Sequence, residues 1–134
     1  MTEPVVVLDS GVIDLVTTDR EFRWLVRDLV AGGWTPLIPT VVLAEAITAR
    51  PDDAPTNQTI RRLDTVDTDQ AMARRAGLLR FGSSRAAKGR GPSGIDAIVA
   101  AHAAAAGEGV VFTTDPSDLR RLLVEYPRVR VEKP

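Results

Sequence analysis

Cysteine is missing from all 134 residues, which removes disulfide frameworks, thiolate metal sites and cysteine nucleophiles together. That absence fits a reducing compartment. Histidine is nearly missing as well. His102 stands alone, so a two-histidine metal site is impossible and a Ser-His-Asp triad would have to be built on that one ring. No run of about 18 apolar residues is present to cross a membrane, and the first residues lack the basic and apolar regions of a secretory leader. A cytoplasmic protein with no membrane contact is therefore expected. Charge of one sign is lacking too: 17 Lys and Arg against 18 Asp and Glu leave a net charge of -1, which says nothing about nucleic acid. Only the distribution of charge can. A chain of this length is about one domain and can bury a core without metal or disulfide support, so residues 1–134 are expected to form a single domain.

What is present starts with Val5-Val6-Val7-Leu8-Asp9. Four consecutive large apolar residues, three of them β-branched, cannot alternate between core and water, so they predict a strand buried on both faces, as in a parallel sheet. Gly11 to Val16 predicts a helical turn. Asp19 then reads as the N-cap of a helix over Arg20 to Ala31, with Phe22, Leu25, Val26, Leu29 and Val30 on one face and Gly32-Gly33 closing it. Thr35 to Ile38 predicts a second strand, and Pro39-Thr40 starts a helix over Val41 to Ala49 that Arg50-Pro51 stops. Asp52 to Asn57 is polar and reads as a surface loop, with a short helix carrying Ile60, Leu63 and Val66 after it. Asp67 or Thr68 caps the next helix, which turns Ala71, Met72, Ala76 and Leu79 inward. Phe81 to Pro92, rich in Gly, Ser, Lys and Arg, reads as mobile. Ser93 to Ala106 is the most helix-prone stretch, ended by Gly107. Gly109 to Thr113 is a third strand, Pro116 to Val124 a helix with Pro at its first position, and Val129 to Val131 a last strand. Strands separated by helices predict an α/β fold with a central parallel sheet of four to five short strands, covered on both faces.

Four acids stand out against this background. Asp9 and Asp115 each end a buried strand, at the carboxyl edge where α/β sheets bind ligands. Each also has a purely structural explanation as a helix cap. Asp96 follows Ser93 by three residues, as in a capping box, yet it opens a helix that is apolar nearly all round. Glu45 lies in Val41-Val42-Leu43-Ala44-Glu45-Ala46-Ile47, where its neighbours are apolar, although a single exposed Glu there would need no function. As a set the acids are harder to dismiss, because four carboxylates at one sheet edge repel one another and demand a cation. All-oxygen ligands select a hard ion, Mg²⁺ or Mn²⁺, which can coordinate phosphate oxygens, activate water and neutralise a leaving oxygen.

At these residues the chain resembles the PIN-domain ribonucleases and, in size, the VapC-type toxins of bacterial toxin-antitoxin pairs. The matching pieces are Val7-Leu8-Asp9-Ser10-Gly11-Val12-Ile13, Leu43-Ala44-Glu45-Ala46, Gly94-Ile95-Asp96-Ala97-Ile98-Val99-Ala100-Ala101, and Thr113-Thr114-Asp115-Pro116-Ser117-Asp118-Leu119. They span nearly the whole chain in order. The resemblance implies a PIN-like domain in which Asp9, Glu45, Asp96 and Asp115 form the catalytic, metal-binding quartet, with Asp118, Thr113 and Ser10 as accessory polar groups. It implies Mg²⁺-dependent endonucleolytic cleavage of RNA, with Mn²⁺ as a substitute, and inhibition by a cognate antitoxin. Gly11 departs from the pattern, since many relatives carry a polar turn residue there. The loop before Asp96 is also longer than the family pattern.

Arg80, Arg85, Lys88 and Arg90 form a basic cluster before the Asp96 helix. Such loops are usually solvated surface, but beside an acidic metal site Arg85, Lys88 and Arg90 could hold RNA phosphates. Gly89, Gly91 and Gly94 satisfy G-x-G-x-x-G spacing but follow a basic loop rather than a strand, which excludes a dinucleotide site. His102 reads as a partly buried structural histidine, and Trp24 and Trp34 as core or interface aromatics. The Arg20 to Ala31 helix and the Leu37 to Leu43 region carry more apolar side chain than one small sheet covers, so a protein partner and a homodimer are expected. Two other functions compete. Aspartyl-phosphate phosphatases also begin with an apolar strand ending in Asp, but need a second Asp where Gly11 stands. A non-catalytic α/β interaction module would use the same acids only as helix caps.

Overall fold

The structure, a computed structural model, describes residues 3–86 and 91–134, excepting the side chains of residues 84–86. Five strands form one parallel sheet: β1 (Val5–Leu8), β2 (Thr35–Pro39), β3 (Thr65–Val66), β4 (Gly109–Phe112) and β5 (Val129–Glu132), in the order β3-β2-β1-β4-β5. The chain works outward from β1 through β2 to β3, then returns to lay β4 on the other flank of β1. The direction of winding therefore reverses between β1 and β4, and the place outside the carboxyl ends of these two strands is where such sheets bind ligands. Every residue of β1 and β4 is buried, as expected of central strands covered on both faces, whereas β5 alternates buried and exposed residues as an edge strand. Their register pairs Val5 with Gly109. A Cβ at Gly109 would run into the Val5 carbonyl oxygen and lie 2.9 Å from Val5 Cγ2, so only glycine lets the two strands start this close together.

Seven α-helices flank this sheet among the described residues: α1 (Leu15–Thr18), α2 (Arg20–Ala31), α3 (Leu43–Ala46), α4 (Ala54–Arg62), α5 (Gln70–Ala86), α6 (Gly94–Ala106) and α7 (Pro116–Leu122). The helix expected over Arg20 to Ala31 holds residue for residue, and the one expected over Ser93 to Ala106 starts one residue later, with Ser93 as its cap. Asp19 Oδ1 accepts from Phe22 N at 3.0 Å to start α2, which buries Phe22 and Val26, and the Phe22 ring meets Phe112 edge-on at 5.0 Å. Ser93 Oγ accepts from Asp96 N at 3.0 Å to start α6, and Gly107, left-handed at φ 82°, ends it. Small Ala side chains let α6 lie close to β1, β2 and β4, and they place Ala97, Ala100, Ala101, Ala103 and Ala104 in the core.

Several local expectations are corrected. The helix expected over Val41 to Ala49 is a 3₁₀ turn (Thr40–Val42) followed by only one turn of α-helix, because the backbone beyond it has a better acceptor. Asp53 takes the N–H groups of Thr48 (2.8 Å) and Ala49 (2.6 Å) and the Thr48 hydroxyl (2.7 Å), drawing the chain out of the helix into a turn with Ala49 at φ 61°. That cluster, with the Thr48 hydroxyl foremost, holds the Asp53 carboxyl below its ordinary value against the opposing effect of burial. The stretch read as a surface loop at 52–57 is the end of a 3₁₀ turn (Pro51–Asp53) and the start of α4, which ends at Arg62, and Val66 lies in β3 rather than in a helix. The cap of α5 is Asp69, whose Oδ1 accepts from Met72 N at 2.8 Å, not Asp67 or Thr68. Thr68 instead bonds the buried His102 ring at Nε2, 3.0 Å away, which bears out a structural histidine. The first part of the stretch expected to be mobile, Phe81 to Ala86, continues α5.

Candidate active site

Asp9 is the most firmly held of the four acids singled out in the sequence. It follows directly on β1, its backbone N–H still pairs with Phe112 O at 3.1 Å, and its side chain is 9% exposed. Oδ1 accepts from Ser10 N at 2.8 Å and Oδ2 from the Thr113 hydroxyl at 2.9 Å, so both oxygens are held. Thr113 follows β4, is 1% exposed, and its Oγ1 also accepts from Asp115 N at 3.2 Å. One threonine thus fixes the Asp9 carboxylate and the turn that starts the next helix. The sequence had placed Thr113 only as an accessory group.

Glu45 is exposed on α3 and is reached by Ser10, whose hydroxyl donates to Glu45 Oε1 at 3.2 Å. Ser10 therefore ties the end of β1 to the helix after β2. Asp96, in the first turn of α6, is partly buried, and its carboxyl is pushed above the ordinary value. Burial is the main cause, the negative charge of Asp9 comes next, and Asp118 and Glu45 add to it. The Ser93 hydrogen bond pulls the other way. Asp9, Glu45 and Asp118, which come from the end of β1, from α3 and from α7, thus all act by charge on Asp96 in α6.

The fourth member differs in emphasis from the sequence reading. Asp118, in the first turn of α7, belongs to the charges acting on Asp96, and Asp115 does not. Asp118 is also paired with Arg121 at 3.2 Å. Asp115 is exposed, accepts from the Ser117 hydroxyl at 3.1 Å, and stands at the N-cap position of α7 without making a capping bond. The spacing Asp115-Pro116-Ser117-Asp118 by itself does not separate the two acids; in the structure Asp118 is partly buried and Asp115 exposed. A cavity of about 320 Å³ opens beside Ser10, Gly11 and Glu45, with Asp14 and Asp52 further along its wall. Of the basic residues proposed for RNA, Lys88 and Arg90 lie outside the described residues, and Arg85 is on the last turn of α5 without a described side chain.

Among the described residues no three acidic or histidine side chains stand in a ready-made metal-ligating arrangement. The donor set nonetheless suits Mg²⁺, which keeps several of its waters and is usually held by one or two carboxylates together with substrate phosphates, rather than by a closed protein cage. A carboxyl pushed up first by burial and then by the negative charge of its neighbours is a group whose ionised form a nearby divalent cation would favour. The oxygens of Asp9, pre-set by two hydrogen bonds, are the most fixed of the candidates.

No family model matches the chain, and no curated protein does. Solved structures do match in fold. A chain in the structure of VapBC2 from Rickettsia felis bound to a DNA fragment from their promoter superposes with a TM-score of 0.67 at 18% identity, covering 96% of this chain and 98% of that one. DNA-bound VapBC from Salmonella typhimurium gives 0.64 at 20% identity, covering 99% and 98%. VapBC-1 from nontypeable Haemophilus influenzae gives 0.64 at 16% identity, covering 96% and 97%. Identities this low speak to architecture alone, and the architecture is PIN-like across nearly the full length.

Proposed function

We propose that this chain is a Mg²⁺-dependent endoribonuclease, the toxin of a toxin-antitoxin pair. What supports the reading is that Asp9, Asp118 and Glu45 all act by charge on Asp96, and that Asp9, directly after β1, is held through both its oxygens. Asp9, Asp96 and Glu45 would hold the ion, with Asp118 in the fourth place and Asp115 at the rim. Bound there, Mg²⁺ supplies an activated water and neutralises charge on a phosphodiester. The chain's own contribution is positional. Thr113 and the Ser10 N–H aim the Asp9 carboxylate, Ser10 restrains Glu45, and partial burial keeps Asp96 in a setting where a cation is strongly favoured. A phosphatase acting through an aspartyl phosphate gains no support, because position 11 carries no carboxylate.

The partner reading rests on α2 and on the neighbours in fold, which are VapBC complexes, two of them with DNA. Trp24, Leu25 and Val30 are 49%, 43% and 39% exposed along α2, large apolar side chains that a partner would cover. A cognate antitoxin, and self-association into a homodimer, are the proposed occupants of such surface. No described helix is long and apolar enough to cross a membrane.

The deciding experiment is cleavage of RNA by the purified protein with Mg²⁺ or Mn²⁺. EDTA should stop it, and Asp9→Ala should stop it while leaving the circular dichroism spectrum unchanged. Cleavage that persists in EDTA, or in the Asp9→Ala protein, would end the metal-dependent reading. Absence of cleavage together with tight binding of a partner would favour the interaction module.

A further inference from the structure

Thr113 and Thr114 are adjacent and do opposite things. Thr113 is buried and spends its hydroxyl on Asp9 and Asp115, whereas Thr114 is exposed, and among the described residues its hydroxyl has no hydrogen-bond partner. The position of Thr114 is tied down on both sides, by Thr113 within the site and by the Asp115 N–H bonded to Thr113 Oγ1 at 3.2 Å. Its side chain lies over the Ser10–Val12 turn. A Cβ built on Gly11 would be 2.8 Å from Thr114 Oγ1 and 3.3 Å from Thr114 Cγ2. Position 11 can therefore carry a side chain only if Thr114 moves. The two residues compete for one volume at the lip of the crevice, and in this chain Thr114 fills it.

That volume adjoins the acids. Ser10, next to Gly11, has already committed its hydroxyl to Glu45 at 3.2 Å, and Arg121 is engaged with Asp118 at 3.2 Å. A phosphate arriving among Asp9, Glu45, Asp96 and Asp118 meets negative charge and needs a donor that is neutral, fixed and unspent. The Thr114 hydroxyl is neutral and unspent, and the chain on either side of it is held by Thr113. Given the ribonuclease reading above, on which this rests, we infer that Thr114 donates a hydrogen bond to a phosphate oxygen of the RNA at the mouth of the site, and that position 11 is glycine because Thr114 occupies its side-chain space. Thr114 is thereby a substrate-binding residue, and it belongs to none of the acids or accessory groups read from the sequence.

The test compares Thr114→Val, which keeps the shape and deletes the hydroxyl, with Thr114→Ser, which keeps the hydroxyl, and with the exchange Gly11→Ser/Thr114→Ala, which delivers a hydroxyl to the same volume from the other strand end. Two readouts are used: steady-state cleavage of a short single-stranded RNA in Mg²⁺, and fluorescence anisotropy of the same labelled RNA with Ca²⁺ in place of Mg²⁺. Losing a hydrogen bond to a charged oxygen should raise KM and Kd roughly tenfold in Thr114→Val, with kcat within about twofold of wild type. Thr114→Ser should match wild type, and the exchange should recover at least half of the lost affinity on a logarithmic scale. If Thr114 merely fills space, Thr114→Val will bind and cleave like wild type and the inference is overturned while the ribonuclease reading stands. A kcat loss at unchanged Kd overturns it as well. A wild type that neither cleaves nor binds RNA overturns both.

Discussion

Replacing Asp96 by Asn separates a helix cap from a member of a carboxylate cluster, because the two roles predict opposite signs. In metal-free protein the folded-state pKa of Asp96 is raised, first by burial and then by Asp9, Asp118 and Glu45. Between the ordinary value of 3.8 and that raised value, the native state binds more protons than the unfolded state. Stability therefore falls as pH rises through this window, and the whole deficit is present at pH 7. Asn abolishes the deficit and keeps the backbone bond from Asp96 N to Ser93 Oγ. It forfeits the interaction of a negative charge with the start of α6, worth roughly 0.3 to 1 kcal/mol. Unfolding entropy of about 2.1 cal/mol/K per residue over 134 residues comes to about 280 cal/mol/K, so each kcal/mol moves the melting midpoint by about 3.6 °C. If Asp96 were only a first-turn acid, Asp96→Asn would melt about 1 to 4 °C lower with or without metal. As a cluster member it should melt higher than wild type at pH 7 in EDTA, and the advantage should shrink as pH is lowered toward 3.8. Mn²⁺ at a hundredfold excess over its dissociation constant should add about 2.7 kcal/mol, or roughly 10 °C, to wild type and much less to the mutant, reversing the order. Melts by differential scanning fluorimetry in EDTA and in Mn²⁺ read both signs. A mutant less stable in EDTA and equally responsive to Mn²⁺ would refute the cluster.

Two further outcomes follow from buried hydrogen bonds. Thr113→Val should cost roughly 1 to 3 kcal/mol, since it strips a donor from the buried Asp9 carboxylate and leaves the Asp115 N–H without its acceptor; urea titration measures it, and a loss under about 0.5 kcal/mol would count against Thr113 as the pin of the site. His102 is held below its ordinary 6.5 chiefly by burial, with Asp69 opposing, so as pH falls below 6.5 the unfolded state takes up a proton that the native ring resists. Wild type should lose stability between about pH 6.5 and 5 faster than His102→Gln, and parallel slopes in denaturant midpoint over that range would show that the ring does not carry the effect.

How far the sequence alone reached follows from the range of the forces involved. Val5 to Leu8 and Val110 to Phe112 are buried on both faces because unbroken apolar runs permit nothing else, so the parallel α/β class was legible from residue order. The caps of α2 and α6 were legible for the same reason: Asp19, Ser93 and Gly107 act within three residues of the backbone groups they satisfy. What the chain order could not contain was anything decided by partners far apart in sequence. Asp53 cut the helix after Glu45 short through side-chain bonds to Thr48 and Ala49 that compete with helical ones. Asp118 acts by charge on Asp96 although 22 positions separate them in the sequence. The contest between Gly11 and Thr114, 103 positions apart by their numbers, exists only because β1 and β4 are neighbours in the sheet. Local patterns decide which elements form, since propensity, capping and burial act within a few residues. Which side chains meet at the crevice is settled only when the winding reverses between β1 and β4 and brings two distant strand ends to the same place.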